Sequence, residues 1–272
     1  MLHLRALALN GPDDIDQRLK AVAELLALPG LPQLMTVRAR QLHAHLLVTV
    51  GRVTEAAAEL DLAARHVEEQ GSPLRTQLGW SRAGLLMLGG HWEEADELSR
   101  ASHHQHARMT WGDAQFNRMV QRWEAAYLTG GGKDLVDELG RVAESSGLPA
   151  LHSILAMARI EAGQMHEARI ALHRFPRAPK DYLWLYTRGW ALLAAARLGE
   201  MELVAQQHAQ LLPYRHLTCS VLDLAISGPV AYFTAEAALA LGDPDAALAD
   251  LAVANDTTQR MGARPWLAVV CD

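Results

Sequence analysis

The chain of 272 residues is half apolar, carries 46 alanines and has only 6% aromatic residues. Its 25 Lys+Arg against 31 Asp+Glu give a net charge of −6, which argues against a general nucleic-acid binder, because that function needs a basic face. Cys219 and Cys271 are too few for a disulfide framework or a cysteine zinc cluster.

In chain order, residues 1–10 read as the latter part of a helix that ends before Gly11-Pro12. That is too early for a signal peptide, and no apolar run approaches the roughly 20 residues of a membrane span. The expectation is a cytoplasmic protein that does not enter the membrane. From there, glycine closes an alanine-rich helical stretch at Gly11, Gly51, Gly90, Gly130, Gly163, Gly199 and Gly242. The intervals are 40, 39, 40, 33, 36 and 43 residues. After most of these glycines a short polar turn leads into another helix: RVTEA from Arg52, HWEEA from His91, QMHEA from Gln164, DPDAA from Asp243. A glycine supplies a left-handed helix C-cap, and an acidic residue in the next first turn suits the positive end of that helix. Each unit is therefore expected to be a helix-turn-helix hairpin. The prolines fall between hairpins or in first turns, and Pro12 and Pro244 begin second helices.

The stretch 214–227 (YRHLTCSVLDLAIS) accounts for the long interval and is the one place that could be non-helical, as a short helix or an extended loop. At the far end, PWLAVVCD from Pro265 reads as the first two turns of another helix. Its apolar ending suggests a partner surface or a segment of a longer chain.

Seven residues before and five after a turn glycine stand Ala44/Ala56, Ala83/Ala95, Ala156/Ala168 and Ala235/Ala247. Helix axes approach to the near end of the usual 8–10 Å only where side chains at the contact are small. The Gly11, Gly130 and Gly199 units offer Leu4/Asp16, Trp123/Leu135 and Leu192/Val204 instead. They should splay or shift register. The spacing resembles that of the tetratricopeptide repeat, although most units here exceed its 34-residue period. That resemblance implies an all-α fold, a right-handed α-solenoid of tetratricopeptide-like hairpins. It would form one elongated array of about seven hairpins over residues 1–272, with the first and last incomplete.

Catalytic chemistry is hard to find. TGGGKD from Thr129 lacks the spacing and hydroxyl of a phosphate loop and reads as a turn. The cluster His103, His104 and His106 has no nearby carboxylate, so it makes a poor divalent site. His166 and His173 share a helix face without an identifiable third group. Glu93-Glu94, Glu68-Glu69 and Asp13-Asp14 are adjacent, and adjacent residues do not face one another on a helix. The expectation is a protein that is not an enzyme, with no cofactor and no metal.

In tetratricopeptide arrays the inner face is lined by first-helix residues, and the resemblance carries that geometry onto a strip of positions before each glycine. These are Arg38, Gln41, His45 and Val48, then Gln77, Trp80 and Met87, then Asn117, Glu124 and Tyr127. Ser153, Met157, Tyr186, Tyr232 and Glu236 follow. A concave strip mixing polar, aromatic and methionine residues suits a peptide or a small molecule.

A closer resemblance lies in PALHSILAMARIEAG (149–163), KDYLWL from Lys180 and LLPY from Leu211. GPVAY from Gly228, LGDPDAA from Leu241 and MGARPW from Met261 continue it. Together they look like the C-terminal repeat region of large bacterial signalling ATPases, many of them actinobacterial. That region is attached to LuxR-type, SARP-type and adenylate-cyclase-linked regulators. The resemblance implies a non-catalytic sensor or interaction module of a signalling or transcription-regulatory system. It would bind a protein or peptide segment or a small inducer in its groove. The ATPase or DNA-binding module would lie in the same longer chain or act in trans, since residues 1–272 contain neither a phosphate loop nor a basic recognition helix. The alternative is a standalone oligomerisation or assembly scaffold that self-associates through the apolar end at Trp266–Cys271.

Overall fold

The computed structural model describes residues 11–68, 74–107, 111–146, 148–174 and 180–271. Helix accounts for 81% of them, so the all-α expectation holds, with one insertion. The first helices in chain order are α1 (Ile15–Leu26), α2 (Gln33–Thr49), α3 (Val53–Glu68), α4 (Leu74–Leu88), α5 (Trp92–His106) and α6 (Trp111–Thr129). They are followed by α7 (Val136–Ser146), α8 (Pro149–Glu161), α9 (Met165–His173), α10 (Trp184–Leu198) and α11 (Met201–Leu211). Strands β1 (Thr218–Val221) and β2 (Ala225–Pro229) come next, and α12 (Val230–Ala240), α13 (Pro244–Met261) and α14 (Arg264–Cys271) finish the chain. Each helix packs against its sequence neighbours.

Turn chemistry sets the helix boundaries. Gly51, Gly90, Gly130, Gly163, Gly199 and Gly242 all adopt positive φ, between 75° and 83°, the left-handed conformation expected of C-caps. Gly51 illustrates the bonding: its N–H reaches the Val48 carbonyl at 2.9 Å and Arg52 N–H the Leu47 carbonyl at 2.8 Å, which satisfies two late carbonyls of α2. Gly11 departs from the pattern. It has φ −96° and precedes a short 3-10 turn, and a Cβ there would come within 2.6 Å of the Lys180 carbonyl oxygen. Close approach, not handedness, explains that glycine. Pro244 opens α13 as expected, with the Asp243 carboxylate accepting the Ala246 N–H at 3.0 Å.

The alanine pairs have the packing role read from their spacing. Ala44/Ala56, Ala83/Ala95, Ala156/Ala168 and Ala235/Ala247 are all buried, none more than 4% exposed. Among the turn-linked helix pairs, the four that carry them (α2/α3, α4/α5, α8/α9, α12/α13) make the most extensive contact. The pairs α6/α7 and α10/α11, with Trp123/Leu135 and Leu192/Val204, touch less, as larger side chains require. Leu4 lies outside the described residues.

The stretch left open between helix and loop is a β-hairpin. β1 and β2 run antiparallel with Val221 opposite Ala225 and Ser220 opposite Ile226, and every residue of both strands is buried. An isolated two-stranded hairpin is marginal in water, so this one depends on what surrounds it. β1 packs on α2 and α10, and β2 on α4, α6, α12 and α13. Helix surfaces bind its backbone directly. The Gln121 side-chain amide donates to the Leu224 carbonyl at 2.8 Å and the Trp80 carbonyl at 2.9 Å. Trp266 Nε1 donates to the Ile226 carbonyl at 3.1 Å, and Thr218 Oγ1 donates to Val48 at 2.9 Å.

Distant parts of the chain also meet, so the array is not elongated end to end. α14 packs on α4 and α6, and the caps at Gly51 and Gly90 face Met261 and Pro265. At the other side Lys180 pairs with Asp13 at 3.0 Å, and Tyr214 donates to the same carboxylate. Trp266 is fully buried and Val270 8% exposed. In the apolar C-terminal segment, read from the sequence as an association surface, Trp266 and Val270 pack into the chain's own core, while Leu267 and Val269 are half-buried and Ala268 and Cys271 exposed.

Candidate functional site

The hairpin leaves one end of the inner strip open. A cavity of about 540 Å³ is bounded by α2, α4, α6 and the hairpin turn, with Arg38, Gln41, His45, Gln77, Trp80, Ser81 and Asn117 among its lining residues. The turn itself, Leu222-Asp223-Leu224, forms the inner wall. Leu222 has φ +53°, an uncommon conformation for a leucine, held by the Leu224 N–H bond to Val221 at 3.0 Å. That geometry places Asp223 against the cavity.

Three lining side chains are at least nine-tenths buried and keep a polar atom with no protein partner. They are His45 Nδ1, Trp80 Nε1 and Asp223 Oδ2. Burial, reinforced by the Arg18 charge, pushes the His45 imidazole down to about 3 against a hydrogen bond to the Leu222 backbone, so the ring is neutral. With Nε2 engaged there, Nδ1 is an acceptor. Burial raises Asp223 to about 6, opposed by hydrogen bonds from Ser81 and from its own backbone. Trp80 contributes a donor. Buried polar groups are normally paired, so three incomplete ones around one cavity of ligand size mark a site able to take a small polar molecule.

Farther along, the strip is closed by the chain itself. Glu124 is 1% exposed and accepts from the Ser227 hydroxyl of β2, which in turn accepts from Trp190 Nε1 at 3.1 Å. Burial raises this carboxyl to about 8, so it is protonated near neutrality. Tyr186 is fully buried beside it, and Cys219 lies close by with its thiol pushed well up by burial. Tyr127 and Tyr232 face each other with hydroxyls 3.4 Å apart and pack with Trp190, Phe233 and Trp266 into an aromatic cluster. Met87 is buried, and Glu236 pairs with Arg197 at 2.9 Å.

The strip read from the sequence thus divides in two. The structure brings Arg38, Gln41, His45, Trp80 and Asn117 to one cavity, together with Gln77. Glu124, Tyr127, Tyr186 and Tyr232 instead stand among the hairpin and the aromatic cluster, while Met87 and Glu236 lie outside the cavity lining. Sequence reasoning missed Asp223, Ser81 and Gln121. The only signal for Asp223 was the unusual length of the interval that holds it.

Most of the remaining chemical candidates have structural partners. The Gly132 and Lys133 backbones bind the Glu161 carboxylate, so the glycine-rich turn holds an acid of its own chain. His173 lies 3.5 Å from Glu200, and His166 is exposed. His103 contacts the Ala114 carbonyl at 3.3 Å. Among the described residues no group of three or more His, Cys, Asp or Glu is placed to hold a metal ion, and no helix is long and apolar enough to cross a membrane. No protein-family model matches the chain, and no curated protein matches it.

Proposed function

We propose that this chain is a non-catalytic, tetratricopeptide-like sensor module of a bacterial signalling or transcription-regulatory system, and that it takes a small polar inducer in the cavity beside the hairpin turn. The observation that carries this reading is the hairpin itself. An extended peptide needs a continuous groove, and β1 and β2 already occupy the middle of the strip. What stays open is a 540 Å³ cavity with unpaired polar atoms, a size suited to a small molecule. The hairpin also suits a sensor. Its turn walls the cavity while its strands touch α2, α4, α6, α10, α12 and α13, so a ligand at the turn contacts an element that most of the repeat shares. The ATPase or DNA-binding partner of such a module would act elsewhere in a longer chain or in trans.

A thermal-shift screen of small polar metabolites tests this. A ligand at one hundred times its Kd adds about 2.7 kcal/mol, which raises Tm by about 5–10 °C at this size. Asn117→Trp places an indole into the cavity from a half-buried wall position and should abolish the shift. A shift that persists in Asn117→Trp, or a screen with no stabilising compound, contradicts the cavity reading.

A further inference from the structure

The structure assigns the cavity a ligand of definite chemical class: a small molecule carrying a protonated nitrogen (amine, amidine or guanidine) with a hydrogen-bond acceptor a few bonds away. This rests on the proposal that the cavity is a binding site. Asp223 carries the inference. The residue is 4% exposed, yet no Lys, Arg or His forms an ion pair with it among the described residues, and Oδ2 has no hydrogen-bond partner. A buried carboxylate without a counter-charge is costly, and its usual resolution is a cation or a proton. The protein supplies neither fully. Burial raises the group only to about 6, so it still ionises near neutrality.

The neighbours refine the class. His45 Nδ1 adds a second acceptor, which favours a nitrogen with more than one N–H. Trp80 Nε1 is an unmatched donor and calls for an acceptor on the ligand. At the exposed side, Arg38 and Gln41 line the same cavity, and Arg38 forms no ion pair among the described residues. An anionic or carbonyl end directed toward them completes the match. The other titratable groups lining the cavity are His106 and Tyr182.

The test uses two matched pairs of probes: 4-guanidinobutanoate with 4-ureidobutanoate, and benzamidine with benzamide. Each pair keeps its shape and exchanges a cation for a neutral group. Binding to the chain is followed by chemical-shift changes at Leu222–Leu224 with each probe at up to 20 mM. The cations should bind at least ten times tighter than their neutral partners at pH 7. Cation affinity should fall about tenfold from pH 7 to pH 5, following the ionised fraction of a group that titrates near 6. Asp223→Asn should remove both the preference and the pH dependence, while its Tm stays at or above that of the parent because an unpaired buried charge is gone. Equal binding of the paired probes, or a cation preference that survives in Asp223→Asn, overturns the assignment. If the paired probes bind equally and Asn117→Trp loses both, the cavity stands and only the ligand class falls. If no probe perturbs the turn, the assignment falls as well.

Discussion

Burial moves three side chains around the hairpin in different directions, and the shifts have separable consequences for stability. His45 is held down to about 3, so its contribution is complete above the ordinary histidine range and is lost as pH falls from about 6.5 toward 3. Asp223 and Glu124 are raised, to about 6 and about 8, and stabilise most below the pKa of an unfolded carboxyl. For them stability declines as pH rises, because the unfolded chain ionises first. Between pH 6.5 and 8 Glu124 differs most between the folded and unfolded states, and the smaller differences at His45 and Asp223 near pH 6.5 cancel when two proteins that share them are compared. Glu124→Gln keeps the volume and an acceptor for Ser227 but cannot ionise. The parent should therefore lose up to about 2 kcal/mol relative to Glu124→Gln across that window. Urea unfolding at pH 6.5 and 8 checks this, and parallel stabilities would show that Glu124 is already ionised in the folded protein.

At the scale of elements, legibility followed local chemistry. Turn glycines and alanine pairs act through backbone handedness and contact distance, properties that a single sequence displays, so helix hairpins and their closest contacts could be read directly. The hairpin could not. Its turn is Leu-Asp-Leu with a leucine at positive φ, where hairpin rules call for Asn-Gly or a similar pair. Its strands are only four and five residues long and every residue in them is buried, so polar Thr218, Ser220 and Ser227 sit as deep as their apolar neighbours. Gln121, Trp190 and Trp266 bind it from residues about 40 to 100 positions away in sequence, and no local pattern announces such partners. Gly84 of α4 is the sharpest sign of the fit. A Cβ there would lie 2.3 Å from the Asp223 carbonyl oxygen and 2.6 Å from that of Leu224. Gly84→Ala should cost about 1–3 kcal/mol through overpacking and lower Tm by several degrees. Gly140→Ala, in α7 with open space around it, should be neutral or slightly stabilising. Equal effects in calorimetry would mean that the hairpin turn does not sit against α4.

For the whole molecule, the elongated array expected from the repeat gives way to one whose distant helices meet. α14 reaches α4 and α6, Asp13 reaches Lys180 and Tyr214, and the hairpin fills the space between. The inner strip was legible as a set of positions because helical spacing alone selects them. Which of them stay open to a ligand was not, since that depends on a segment inserted from elsewhere in the chain. Arg38, Gln41, His45, Trp80 and Asn117 keep a cavity, whereas Glu124 and Tyr186 became the seat of the hairpin. Of the two occupants the sequence leaves open, a peptide segment or a small inducer, the proposed function keeps the small molecule because of that division.

In the resting protein β1 and β2 occupy the middle of the inner strip, and amide hydrogen exchange over residues 218–228 reads that occupancy. Protection of at least about a thousandfold is expected, matching the amides of α10, because these strands can open only with the packing around them. Exchange of this segment at the rate of an exposed loop, while α10 stays protected, would contradict it.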